Sequence, residues 1–126
     1  MHYWLRYGLH GLTLDLPESW NITVVSRRSM PGVLDPPGCI EKALTSPAEA
    51  KDLAQEAKGS KSACIMICDV TRPVPNRLLL RPLLDRLLGA GLQPARIIVL
   101  VATGLHRPND GEELASLIGD PWIASH

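Results

Sequence analysis

The sequence predicts an α/β fold: a layered domain with a parallel strand–helix–strand core and a β hairpin or meander at its N-terminus. Three observations carry this. The apolar runs Ala63–Cys68 and 96–102 have the length and β-branched content of buried strands. Between them lies a leucine-rich stretch with helical spacing, and a strand–helix–strand order demands a parallel pair joined by a right-handed crossover, a Rossmann-like unit. The first quarter of the chain instead alternates apolar and polar residues with period two.

Each element has its own signal. Residues 3–7 and 11–16 read as strands, the second with Leu12, Leu14 and Leu16 alternating against Thr13 and Asp15, and residues 22–26 read as a third. Residues 29–38 hold three prolines and two glycines and read as a surface connection. A helix is expected over 47–58. Ser46 can cap it, Pro47 suits the first turn, Glu49 completes a capping box, and Gly59 follows. Lys51, Lys58 and Lys61 are its solvated face.

In the leucine-rich stretch, Leu78, Leu79, Leu83, Leu84, Leu87 and Leu88 form a broad stripe, and Gly89 and Gly91 supply the stop. Pro82 removes an N–H from the middle of this segment, so one helix kinked at Pro82 is expected. A last helix over 110–118 follows from Asn109 or Asp110 as cap, Glu112 and Glu113 in the first turn, and Gly119 beyond its end. Trp4, Trp20 and Trp122 are read as core anchors or interface contacts, with the core favoured because aromatic residues make up only 4% of the chain.

Composition narrows the function classes. The chain has 126 residues, 45% apolar and 21% charged, which suits one soluble domain or less. Thirteen basic residues cancel thirteen acidic ones, so neither nucleic acid nor an anionic membrane is expected as a partner. No apolar run reaches the length of a membrane helix, the N-terminus lacks a signal-peptide pattern, and the expected compartment is cytoplasmic. Cys39, Cys64 and Cys68 are expected as free thiols. If residues 63–68 are extended, Cys64 and Cys68 lie too far apart to chelate one ion. They read as small buried residues of a strand, and no metal site is assigned.

The chemistry is concentrated in two segments, each directly after an apolar run: Asp69-Val70-Thr71-Arg72-Pro73-Val74-Pro75 and Ala102-Thr103-Gly104-Leu105-His106-Arg107-Pro108. In open α/β sheets, ligands sit outside the carboxyl ends of parallel strands, so both segments are expected on one rim. No Gly-x-Gly-x-x-Gly or P-loop pattern is present. Arg72 offers a planar fork for carboxylate or phosphate, Thr71 a hydroxyl, and Asp69 an acceptor that can orient a neighbouring base. Arg107 is a second candidate for a carboxylate. The plain alternatives are a turn and helix cap for Asp69 and Thr71 and a surface ion pair for Arg72. His106 is either a solvated histidine or an acid/base group working near neutral pH.

These two motifs resemble those of the nickel-pincer-nucleotide-dependent lactate racemases, whose N-terminal domain carries Asp-x-Thr-Arg-Pro-x-Pro and then Ala-Thr-Gly-Leu-His-Arg-Pro. The resemblance extends more loosely over residues 7–17, 80–91 and 109–119. It implies that Asp69, Val70, Thr71 and Arg72 contact the nickel-pincer nucleotide or the substrate, with Arg72 near the substrate carboxylate. It implies further that His106 is one of two acid/base histidines in the racemisation of a small 2-hydroxy acid, whose C2 hydride passes to the cofactor. The second histidine and the cofactor-tethering lysine of the family lie further on. Lys42, Lys51, Lys58 and Lys61 all precede the first motif, and His126 is read as incidental. The chain is therefore expected to be a single N-terminal domain, 1–126, truncated at its C-terminal end and inactive alone. The rest of the enzyme or a second domain is the expected partner. A noncatalytic module that binds a small carboxylate or phosphate is the alternative.

Overall fold

The computed structural model describes residues 1–8 and 10–125; His126 lies outside the described residues. The chain falls into two compact units, Met1–Gly32 and the segment from Val33 onward. In the first, β1 (His2–Leu5) pairs antiparallel with β2 (Leu12–Asp15), placing His2 opposite Asp15 and Leu5 opposite Leu12. The ladder is closed beyond its last pair by reciprocal backbone bonds between Met1 and Leu16, and His2 Nδ1 meets the Asp15 carboxylate. The expected third strand over 22–26 does not form. Residues 21–33 carry no regular structure, and Val24 and Val25 are exposed without a ladder partner to fix them.

The second unit starts with a helix where a loop was expected. α1 (Pro36–Thr45) is capped by Asp35, whose carboxylate accepts the Gly38 N–H at 3.0 Å. Pro36 and Pro37 occupy the first turn, where a missing N–H costs nothing, so prolines that read as breakers start the helix instead. The helix expected over 47–58 is replaced by the end of α1 and a shorter α2 (Leu53–Ala57). Ser46 is the C-cap of α1, not the N-cap of its successor. Pro47 forces this, because it disfavours helical backbone in the residue before it. Glu49 has φ 55° and forms no capping box; Asp52 caps α2 by accepting the Ala54 N–H at 2.6 Å. Lys51, Lys58 and Lys61 are exposed, as expected.

The core follows the sequence reading. β3 (Ala63–Cys68) and β4 (Ile97–Ala102) pair in parallel, Ala63 against Ile97 through Cys68 against Ala102, and α3 (Asn76–Gly89) crosses between them. α3 is one helix that contains Pro82. Its buried stripe is Asn76, Leu80, Leu84 and Leu87, the i, i+4, i+8 and i+11 positions of one face. Leu80 is thus the centre of a stripe expected to run through Leu79 and Leu83, and Leu78 is exposed. A run with leucine at almost every position leaves the choice of face to tertiary packing.

Two clusters share Ile65. One gathers Ala57, Leu87 and Leu92 against Leu53 and Ile97; the other gathers Ile67, Leu80 and Ile118 against Val99, Val101, Leu114 and Ile123. α4 (Gly111–Ile118) ends at Gly119, which takes the left-handed φ of 68° where its added Cβ would sit 2.9 Å from that of Arg77. A short α5 (Pro121–Ala124) follows, capped by Asp120, which also receives Arg81 through two bonds of 2.7 and 2.9 Å. Arg81 in turn lies 5.1 Å from the Trp122 ring centroid.

Two expectations about buried residues fail. α3 and α4 cover the Ile65, Ile67, Val99 and Val101 face of the β3–β4 pair, while Cys64, Met66, Cys68, Ile98 and Leu100 lie exposed on the other. Cys64 and Cys68 are therefore exposed rather than buried; all three thiols are free, as expected. Trp4, Trp20 and Trp122 are also exposed rather than core anchors, and the two clusters of the second unit are built from aliphatic side chains. Among the described residues no helix is long and apolar enough to cross a membrane.

Candidate functional site

Both motifs emerge at the carboxyl ends of β3 and β4, and parallel pairing puts those ends side by side. After β3 the chain turns at once, with the Arg72 N–H donating to the Asp69 carbonyl at 3.1 Å. After β4 it turns again, with the His106 N–H donating to the Thr103 carbonyl at 3.0 Å. Gly104 takes φ 59° inside that second turn, a backbone region that side chains disfavour. The two turns line an open cleft of about 380 Å³, with Cys68, Asp69 and Arg72 on one side and residues 102–106 on the other.

Asp69 is the hub. It is 4% exposed, and its two carboxylate oxygens are used differently. Oδ1 accepts from the Thr71 hydroxyl at 2.6 Å and the Thr71 N–H at 3.2 Å, while Oδ2 meets His106 Nδ1. The Thr71 hydroxyl, then His106, hold the Asp69 carboxyl below its ordinary value and keep it ionised. An ionised Asp69 accepts from Nδ1, so in the neutral form of the imidazole it favours the tautomer whose lone pair lies on Nε2. The plain turn role of Asp69 and Thr71 is present too; the same atoms close the turn and orient the histidine.

The two arginines differ. Arg72 lines the cleft, and among the described residues its side chain makes no hydrogen bond or ion pair within the protein. Arg107 does not line it. Its guanidinium grips Glu113 through two bonds of 2.7 and 2.8 Å and also donates to the Pro108 carbonyl at 3.2 Å. Val70 is exposed beside Asp69, and its N–H donates to Asn109 Oδ1 at 3.4 Å. Asn109 Nδ2 donates to Glu113 Oε2 at 2.7 Å. Asn109 and Glu113 were not singled out as site residues from the sequence; their four-residue spacing across a helix start was the only local sign.

Glu113 offers a prediction. The hydrogen bonds from Arg107 and then Asn109 lower its carboxyl from 4.5 to about 2. A carboxyl lowered on folding stabilises the fold fully above its unfolded value, and that contribution is lost as pH falls through the folded value. Stability is therefore expected to decline between about pH 5 and pH 2, and the decline should be shallower in Glu113→Gln. Urea unfolding at a series of pH values measures both slopes; parallel slopes would contradict the assignment.

A model of the lactate racemase N-terminal domain matches residues 7–126. The chain belongs to that family. A lactate racemase of Lactiplantibacillus plantarum is 41% identical over 84 residues, which are 67% of this chain and 20% of that protein. A lactate racemase of Thermoanaerobacterium thermosaccharolyticum is 32% identical over 123 residues, 94% of this chain and 28% of that protein. The structure of the lactate racemase apoprotein from the same organism superimposes with a TM-score of 0.70 at 31% identity, covering 98% of this chain and 28% of that one. The matched part of the chain thus spans between 20% and 28% of these longer relatives, and its α/β architecture is that of a lactate racemase N-terminal domain. The resemblance carried by the two motifs is thereby borne out at the level of family and fold.

Proposed function

We propose that this racemase domain supplies one acid/base histidine and the carboxylate-binding arginine of an isomerase that interconverts the enantiomers of a small 2-hydroxy acid. The observation that carries the reading is the conjunction of the Asp69–His106 pair with the partner-free Arg72 guanidinium on one cleft. Arg72 binds the substrate carboxylate through its fork, which orients the adjacent C2 hydroxyl toward His106. Nε2 takes the hydroxyl proton. The resulting imidazolium is stabilised by Asp69, which accepts from Nδ1 throughout. On the return step the same nitrogen delivers a proton to the oxygen of a planar 2-keto acid. A planar C2 has two equivalent faces, which is what permits racemisation.

The family implies a nickel-pincer nucleotide, which supplies the acceptor for the C2 hydride when bound. The residues on the cleft fit part of such a group: Arg72 suits one of its anionic groups or the substrate carboxylate, and Asp69 to Thr71 present a rigid turn beside it. Among the described residues no set of three His, Cys, Asp or Glu side chains could hold a metal ion. Lys42, Lys51, Lys58 and Lys61 do not line the cleft. The second acid/base histidine and the tethering lysine are assigned to the rest of the enzyme or a second domain, in keeping with the greater length of the lactate racemases that the chain matches. Three free thiols suit a cytoplasmic setting.

The test is a chiral assay of the full-length, cofactor-loaded enzyme with lactate. Interconversion is expected, and Arg72→Ala should raise KM by one to two orders of magnitude, since a charge-assisted bidentate contact is worth about 1.5–3 kcal/mol. Absence of racemisation in a demonstrably loaded enzyme would contradict the proposal.

A further inference from the structure

Two loops that must hold a hydrogen bond in register across a cleft need more than that bond. Asp69 and His106 lie on separate turns, 37 residues apart in sequence, and both turns face solvent on the cleft side. A second attachment joins the same two segments. Asn109, buried and three residues past His106, receives the Val70 N–H, one residue past Asp69. The two links run side by side, 69 to 106 and 70 to 109.

The amide of Asn109 suits this position because it needs one acceptor and one donor. Oδ1 faces a backbone N–H and Nδ2 faces the Glu113 carboxylate, so an aspartate would repel Glu113, and an aliphatic residue would leave the Val70 N–H without its acceptor and take one of three donors from Glu113. Glu113 is held in turn by both arms of Arg107. α4 thereby anchors the loop, since Glu113 sits in its first turn.

We infer that Asn109, held by the Glu113–Arg107 pair, is a positioning residue that latches the Asp69 turn to the His106 turn and so keeps Asp69 on Nδ1. Its catalytic meaning rests on the proposed function, but the latch itself is a property of this chain. Arg107 then works through Glu113 and Asn109, not by touching substrate. Loss of the latch frees the turns to separate and lets His106 populate its other tautomer, in which the proton sits on Nε2 where the base is required.

The test uses the ¹⁵N-labelled 126-residue chain without cofactor or substrate, so its outcome is independent of whether the racemase reading stands. Two quantities are measured: amide hydrogen exchange at Val70 against Leu84 inside α3, and the His106 tautomer from its ring-nitrogen shifts above neutral pH. In Asn109→Leu the Val70 amide is expected to exchange at least about tenfold faster with Leu84 unchanged, and His106 should move from one tautomer to a mixture. Glu112→Gln, on the same helix turn outside the latch, should change neither. The inference is overturned if a folded Asn109→Leu keeps its Val70 protection or its single tautomer, or if Leu84 accelerates as much as Val70, which marks general destabilisation. Should Asn109→Leu not fold, Glu113→Ala is measured in its place, with the same two changes expected and the same results overturning the latch.

Discussion

Replacing His106 with alanine is expected to lower racemase turnover in the full-length, cofactor-loaded enzyme by about 10²- to 10⁴-fold, the usual contribution of a positioned general acid–base group. The side chain is exposed at the cleft and packs no core, so folding should be intact and the loss should fall on kcat. The two enantiomers have equal free energies in water. Their equilibrium is therefore fixed, and kcat/KM must fall by the same factor in both directions even if His106 serves only one face. Asp69→Asn should lose less than His106→Ala, since it spoils the tautomer and orientation of the base without deleting it. Chiral analysis of product from each enantiomer, with circular dichroism to confirm folding, measures all of this. Rates unchanged in His106→Ala would remove His106 from the chemistry.

The second large effect concerns stability. Leu80 is 1% exposed and packs between Ile67 of β3 and Ile118 of α4, so Leu80→Ala is expected to cost about 2–5 kcal/mol through lost burial and the cavity left behind. Leu78, two residues earlier on the same helix, is 40% exposed, and its alanine variant should cost well under half as much. Urea unfolding of the chain and the two variants gives the difference. Equal costs would mean that α3 presents a different face to the sheet. The position matters for function as well, because Leu80 packs on Ile67, two residues before Asp69.

The same helix shows how far the sequence could be read. Strand–helix–strand order, parallel pairing and the siting of both motifs on one rim were legible, because apolar runs bounded by polar turns admit few other arrangements. The buried face of α3 was not, since leucines occupy several faces and only the sheet selects among them. The helix over 36–45 was missed for a related reason. Proline signals either a stop or a first turn, and Asp35 ahead of Pro36 decides for a start while Pro47 after Ser46 decides for an end. Both signals are local, but each residue also fitted the opposite reading.

At the site, the residue types in the two motifs were sufficient to name Asp69, Thr71, Arg72 and His106 as candidates, because acid, hydroxyl, guanidinium and imidazole each imply their chemistry. Their division of labour was not written there. Arg72 and Arg107 look alike in sequence; the structure leaves one unpaired on the cleft and commits the other to Glu113. Asn109 reads as a helix cap, and folding places its amide between Val70 and Glu113.

The sequence by itself determined the fold class, the family and the set of candidate site residues, since these depend on periodicity and on contiguous motifs. Tertiary structure alone decided which sheet face and which leucines are buried, which arginine is paired with Glu113, and which oxygen of Asp69 meets His106. Those are contacts between residues far apart along the chain, such as the 37 positions from Asp69 to His106, and a chain encodes such contacts only through the geometry it folds into.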